Sequence, residues 1–421
     1  VVPELSTTDS GVEQLAIPCR ICGQVGLNSI LSLGSTPLAN ALLREEELTA
    51  SESKWPLDLA WCPTCSLVQI TETVPPEKLF RDYAYFSSFS DTMVAHARSI
   101  AEELCEARQL DANSLVVEVA SNDGYLLQWY HKSGVPVLGI EPARNIAHVA
   151  ESERGVRTIS EFFGQDLARQ LVREGIRADV IHANNVLAHV ADLNGVAAGF
   201  ATLLKPEGIA VVEVPYLKDL LDHVEFDTIY HEHLCYFSLS ALQQLFGQHG
   251  MEIIDVDRLS IHGGSLRVTA ARAGTASISC AVHDLLDEEA EWVRDPEFYQ
   301  SFGERVEALR NELVGLLHTL KADGKRIAVY GASAKGSTLL NYFGIGRDTL
   351  EYVVDRSTVK QGRYTPGTRL KIYDPAQLVE DQPDYCLLLT WNFADEILNQ
   401  QRDYRERGGR FIIPVPSVRI A

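Results

Sequence analysis

The sequence predicts an α/β protein in three parts: a small cysteine-bearing domain over residues 1–78, a Rossmann-like domain over 79–275, and a second Rossmann-like α/β domain over 276–421. Three observations carry that division. Two Cys-x-x-Cys pairs fall near the amino terminus, strand-like and helix-like runs alternate from Ser114 to Ala273, and the alternation starts again at Arg326. Strands alternating with helices imply a parallel sheet. A chain of 421 residues also exceeds what one ordinary core holds.

The first part is read from its sulfurs. Cys19-Arg-Ile-Cys22 and Cys62-Pro-Thr-Cys65 have the spacing of a tetrahedral thiolate site for Zn2+, each pair on a tight turn furnished by Gly23 or Pro63. Redox pairs or disulfides are the competing reading, and neither a thioredoxin-like unit nor a secretion signal supports it. Four sulfurs close the coordination shell, so the metal is expected to be structural. Residues 17–74 lack helical periodicity and are too few to bury a core alone, which is where a cross-link matters most. Cys105, Cys235, Cys280 and Cys386 stand apart and read as buried thiols. The aromatic run Leu79-Phe-Arg-Asp-Tyr-Ala-Tyr-Phe-Ser-Ser-Phe-Ser90 is either a hinge or a lid that carries Tyr83 or Tyr85 into an active site.

In the second part a helical pattern over 92–110 precedes a strand, Ser114 to Ala120, and the turn Ser121-Asn-Asp-Gly124. Strands follow at 135–140, 178–183 and 209–214, helices at 144–154, 163–174, 193–204 and 239–250, and two closing strands at 251–258 and 264–273. Ligands in such sheets bind outside the carboxyl ends of the strands. Glu118, Ala120, Ser121, Asn122, Gly124 and Tyr125 surround a turn with one glycine, unlike a dinucleotide fingerprint, while Glu141, followed by Pro142, can accept both hydroxyls of a ribose. That set suits a cofactor with a ribose and an ammonium group but no pyrophosphate, which describes S-adenosylmethionine. Phe162 and Phe163 are placed to cover an adenine. Asn184, Asn185 and His189 follow the 178–183 strand and share its rim.

Tyr230-His-Glu-His233, followed by Tyr236, is a dense group of proton-handling side chains. A histidine is the side chain best suited to take a proton near neutral pH, and Glu232 can orient or polarise one. A polar surface loop or a metal-spaced histidine pair is the alternative, but the His-Glu-x-x-His pattern and a third ligand are missing.

The third part opens with acidic helical patterns over 282–322, read as a solvated connecting helix. The strand Arg326 to Tyr330, the turn Gly331-Ala-Ser-Ala-Lys-Gly336 and Asp355 then form a relaxed dinucleotide-type unit. Ser333, Lys335, Gly336 and Arg363 are its candidate phosphate partners. A net charge of −21 argues against nucleic acid or an anionic membrane surface as a partner. The apolar runs are too short to span a bilayer, and Val1-Val-Pro-Glu lacks a signal-peptide pattern, so a cytoplasmic enzyme is expected.

Cys19/Cys22/Cys62/Cys65, Leu33-Gly-Ser-Thr-Pro-Leu-Ala-Asn40, Glu118-Val-Ala-Ser-Asn-Asp-Gly124, Tyr230-His-Glu-His233 and Gly331-Ala-Ser-Ala-Lys-Gly336 occur in one order over essentially the whole chain. Together they resemble the sugar C-methyltransferases of antibiotic deoxysugar pathways, above all those that methylate C-3 of a dTDP-linked 4-keto-deoxysugar, as in tetronitrose or mycarose formation. The resemblance implies a zinc-binding N-terminal domain and a central class I methyltransferase domain for S-adenosylmethionine. It also implies a C-terminal domain that helps hold the dTDP-linked sugar, in a monomeric enzyme. It implies His233 as general base, with Tyr230, Glu232, His189 and Tyr83 or Tyr85 around the sugar. Two further expectations stand beside it: an NAD-dependent sugar-nucleotide oxidoreductase using Gly331–Gly336, and a non-catalytic zinc-ribbon module.

Overall fold

The computed structural model describes residues 5–7, 13–75, 79, 88 and 91–421, so Tyr83 and Tyr85 lie outside the described residues. Leu5–Thr7, Glu13–Pro18, Val25–Pro37, Lys54–Trp61 and Val68–Ile70 pair in that order, every neighbour antiparallel. Leu57, Leu59 and Trp61 turn inward at a spacing of two, but Ala60 between them is buried as well, so the period-two pattern is lost toward the end of the strand. A sixth strand, Cys235–Tyr236, joins this sheet against Val68–Ile70 from far along the chain.

The central sheet runs Met251–Leu259, Ser265–Arg272, Leu204–Pro215, Ala178–Asn184, Val116–Val119, Val137–Ile140, Thr158–Ile159. The last five are parallel, and Ser265–Arg272 is wedged in antiparallel to both its neighbours. Val116–Val119 is buried along its whole length, as a strand covered on both faces must be. The chain builds outward from it on one side and returns to place Ala178–Asn184 on the other, so a crevice opens beyond the carboxyl ends of these two strands. The C-terminal sheet repeats the arrangement around Ile327–Tyr330. Val353–Val354 and Ile372–Tyr373 lie on one side, Tyr385–Leu388 and Arg410–Ile413 on the other, with Arg419–Ile420 as an antiparallel edge.

Three expectations are corrected. Residues 282–322 are not a solvated connector: the helix Pro296–Ala322 buries Tyr299, Phe302, Val306, Leu309, Leu313, Leu317 and Leu320, and Tyr299 stacks on Trp61 with ring centroids 4.8 Å apart. Its acidic face hides an apolar stripe at helical spacing, which makes it a brace against the N-terminal sheet. Cys280 is exposed rather than buried because it opens the helix Cys280–Ala290, whereas Cys235 and Cys386 are buried and Cys105 half-buried. The sheet over residues 13–70 was not foreseen, because its strands are bulged and break the alternation.

Candidate active site and metal centre

The two Cys-x-x-Cys turns are built alike. Gly23 N–H donates to Cys19 O and Ser66 N–H to Cys62 O, each at 2.9 Å, and both Gly23 and Ser66 take left-handed backbone angles. Ser66, not Pro63, is therefore the counterpart of Gly23. The four sulfurs all lie within 4.8 Å of one another, with Cys19–Cys65 at 3.3 Å and Cys22–Cys62 at 3.6 Å. A tetrahedron with metal–sulfur bonds of about 2.3 Å has edges of about 3.8 Å, so the donor set fits zinc. Without a metal the crowded sulfurs share their protons unevenly: donation from Cys19 and Cys65 pulls the Cys62 thiol down, whereas the Cys62 sulfur beside it pushes Cys19 up.

At the central switch point the turn after Val116–Val119 carries left-handed Ala120, Asn122 and Gly124. A Cβ on Gly139 would lie 2.5 Å from Ser121 Oγ, so only glycine on the next strand admits this turn. Glu141 accepts from Asn122 N–H at 3.0 Å and Ala143 N–H at 2.8 Å, and burial raises its pKa. Glu118 Oε2, Ser121 Oγ, Asp123 Oδ1 and Asn184 Oδ1 are buried without a partner among the described residues. Burial, then the neighbouring Asp123 and Glu141, pushes the Glu118 carboxyl well up. Buried acceptors left unsatisfied are costly, and a ligand bearing an ammonium group and hydroxyls would satisfy them. S-adenosylmethionine fits that set.

The remaining predicted cofactor residues distribute around this turn. Tyr125 is buried beneath it, Pro142 is half-buried beside Glu141, and Asn185 adopts a left-handed angle while its N–H donates to Glu213 O at 2.8 Å. Phe163 turns inward and stacks on Phe200 at 5.6 Å, which corrects its reading as an adenine cover; Phe162 keeps an exposed ring. Asp123, which was not singled out as a ligand, is held by Arg154 at 3.2 Å and by the Ser88 hydroxyl.

The 226–236 segment is neither a helix nor a strand until its end. A short 3-10 turn, Phe226–Thr228, leads into an irregular loop that closes in the strand Cys235–Tyr236. His233 Nδ1 lies 2.9 Å from Thr228 O, and since a carbonyl only accepts, that nitrogen carries the proton. Nε2 then holds the lone pair, and the Tyr230 hydroxyl donates to it at 2.9 Å. His189 Nδ1 likewise donates to Glu232 O at 2.7 Å, with the His189 and His233 rings 4.9 Å apart, edge to face. Burial lowers the His189 pKa, which keeps that ring neutral. The His233 ring is thus oriented by the Thr228 carbonyl, while the Glu232 carboxylate accepts from Asn40 Nδ2 at 2.7 Å, correcting the expectation that Glu232 does the orienting. His231 faces away, its Nε2–H donating to Pro56 O at 3.0 Å. A cavity of about 20 Å3, room for one water, touches Glu232, His189 and His231.

In the C-terminal domain Asp355 accepts from Ala332 N–H and Ser357 N–H, both at 2.8 Å, and Ser333 caps the helix Ala334–Phe343 by accepting from Gly336 N–H at 3.0 Å. Gly336 serves packing, since a Cβ there would meet Leu389 Cδ1 at 2.7 Å. Lys335 Nζ lies 4.5 Å from the Trp391 ring centroid, buried and without a hydrogen-bond partner among the described residues. Trp391 Nε1–H in turn donates to Asp227 Oδ2 at 2.7 Å. Arg363 is half-buried, and its carbonyl accepts from Ile372 N–H at 2.9 Å. Thr228, Asn40 and Trp391 were missed by sequence reasoning. A backbone carbonyl leaves no sequence signal; Asn40 had one, its place in the Leu33–Asn40 stretch, but no assigned role.

Family models match three successive regions: a zinc binding domain over 19–80, a methyltransferase domain over 94–256 and a C-methyltransferase C-terminal domain over 260–416. The chain is 38% identical over 404 residues to the C-methyltransferase NovU of Streptomyces niveus, covering 96% of each chain. It is 28% identical over 149 residues to a ubiquinone biosynthesis O-methyltransferase of Bartonella tribocorum, covering 34% of this chain and 58% of that one. Among solved structures, magnesium protoporphyrin IX methyltransferase of Synechocystis covers 47% of this chain and 89% of its own at 15% identity and a TM-score of 0.33, too low to carry an argument.

Proposed function

This chain belongs to the C-methyltransferase family, uses S-adenosylmethionine and holds zinc at its four N-terminal cysteines, and on that premise we propose that it methylates C-3 of a dTDP-linked 4-keto-deoxysugar through an enolate raised by His233. The oxidoreductase and zinc-ribbon expectations fall with the family match. The reaction belongs to antibiotic deoxysugar biosynthesis, in the cytoplasm, by a monomer with domains over 1–78, 79–275 and 276–421. No helix among the described residues is long and apolar enough to cross a membrane.

The observation that carries this reading is the order of hydrogen bonds around His233. With Nδ1–H committed to Thr228 O, the neutral ring offers its lone pair at Nε2, the atom on which the Tyr230 hydroxyl rests. A hydrogen beside a ketone is acidic because its loss yields an enolate. Nε2 takes that proton, the C–H electrons move into the ring ketone, and Tyr230 O–H, displaced from the protonated nitrogen, donates to the C-4 oxyanion. Tyr230 is preferred to His189 in that role because the His189 Nδ1 proton is already donated to Glu232 O. When bound, S-adenosylmethionine supplies the electrophilic methyl group. Glu118, Ser121, Asp123, Glu141 and Asn184 would hold it, and Ser333, Lys335 and Arg363 would take the diphosphate.

The test is proton exchange. In D2O with a dTDP-4-keto-deoxysugar, the enzyme exchanges the C-3 hydrogen and His233→Asn does not. Tyr230→Phe slows methyl transfer by about 100- to 1000-fold, the scale of other oxyanion donors. Near-normal turnover by His233→Asn would remove His233 as the base.

A further inference from the structure

We propose that the zinc-bound N-terminal sheet positions the base loop, with Asn40 as the positioning residue that acts through Glu232. The proposal deepens the reading of His233 as base and rests on it. The residues flanking His233 are tied, one after another, to this sheet. His231 Nε2–H bonds Pro56 O at 3.0 Å, Glu232 Oε1 accepts from Asn40 Nδ2 at 2.7 Å, and Leu234 O accepts from Ile70 N–H at 3.0 Å. Cys235 and Tyr236 then pair with Gln69 and Val68 as the sheet's last strand.

Both metal-binding turns grip the short strand Val68–Ile70 that receives the loop. Cys62 N–H bonds Leu67 O at 2.9 Å, so the second turn leads directly into that strand. Around the first turn, Arg20 N–H donates to Gln69 Oε1 at 2.8 Å, and the Arg20 guanidinium reaches Ile70 O at 3.2 Å and Thr73 Oγ1 at 2.9 Å. A strand of this length has little stability of its own, and what fixes its position is the pair of turns that a shared metal would lock together. The parallel strands that carry the cofactor turn take no part in that sheet, so loss of the metal should loosen the base loop and leave the cofactor turn intact. Glu232 is nearly buried, and without the Asn40 amide one of its oxygens would lose its donor.

Hydrogen–deuterium exchange on the full chain, zinc-loaded and then chelated, reads the support without any substrate. Peptides spanning 229–238 exchange at least about tenfold faster after chelation while Val116–Val119 and Ile327–Tyr330 keep their protection. Unchanged protection at 229–238, or loss spread evenly over all three sheets, overturns the proposal. Asn40→Ala, which leaves the metal in place, keeps zinc content and S-adenosylhomocysteine affinity but lowers kcat by about 100-fold with little change in KM, the scale of a small misplacement of reacting groups. Added to Glu232→Ala, which removes the acceptor, it costs nothing further. A change confined to KM, or losses that add in the double variant, would refute action through Glu232. Failure of the wild-type enzyme to exchange the sugar hydrogen would instead count against the base assignment and leave the exchange readout of the loop standing.

Discussion

The turns that follow Val116–Val119 and Ile327–Tyr330 share one scaffold and differ in what they leave open. In both, a carboxylate from the end of the neighbouring strand spans the turn. Glu141 accepts from Asn122 N–H and from Ala143 N–H, two residues on, and Asp355 accepts from Ala332 N–H and from Ser357 N–H, also two residues on. The buried atoms left without partners differ in kind. Around the first turn they are the acceptors Glu118 Oε2, Ser121 Oγ, Asp123 Oδ1 and Asn184 Oδ1; beside the second they include the ammonium of Lys335 and Thr390 Oγ1. A strand–turn–helix unit therefore sets only the backbone, and a few side-chain atoms select the charge of the ligand. On the assignment proposed above, the first turn takes the cationic cofactor and the second an anionic group.

The largest expected effect tests that pairing directly. Glu141→Ala should weaken S-adenosylhomocysteine binding by about 100-fold or more, since two charge-assisted bonds that shape the turn disappear. Asp355→Ala should leave that affinity within about twofold and weaken thymidine diphosphate instead. Calorimetry with each ligand reads both, and equal effects at the two carboxylates would break the comparison. Next in size, Lys335→Met should cost about tenfold in thymidine diphosphate affinity, the worth of one charge-assisted contact, with the cofactor unaffected.

The smallest effect concerns the acids near Lys335. Burial pushes the Glu225 carboxyl from 4.5 up to about 8, against a smaller downward pull from Lys335. A carboxyl whose pKa is raised on folding stabilises fully below about 4.5 and loses that contribution as pH rises toward 8. Glu225→Gln should therefore melt about 2–4 °C higher at pH 8 and no differently at pH 4. A lower melting temperature at pH 8 would mean that the Lys335 ammonium is committed to Glu225 and not left for a ligand.

Much of the site could be read in the chain. The four cysteines come together as their spacing implied, the Ser121–Gly124 turn stands at the switch point, and Tyr230 and His233, three positions apart, touch across a tight loop. What could not be read was the partner of each functional group. Glu232 sits beside two histidines in sequence, yet its carboxylate turns to Asn40, and Phe163 follows Phe162 yet packs inward on Phe200. Composition also misled: the charged residues of Pro296–Ala322 concealed a buried stripe, because a helix shows opposite characters on opposite faces.

The sequence by itself determined the metal ligands, the alternation of strands and helices, and the position of each turn, since all of these follow from spacing within a few residues. Tertiary structure alone decided that Cys235–Tyr236 completes the zinc-bearing sheet, that Thr228 O sets the His233 tautomer, and that Asn40 reaches Glu232 across 192 positions. Such contacts depend on how distant strands register against one another. No local pattern encodes that register, which is set when the separate sheets pack and their backbone groups must all find partners.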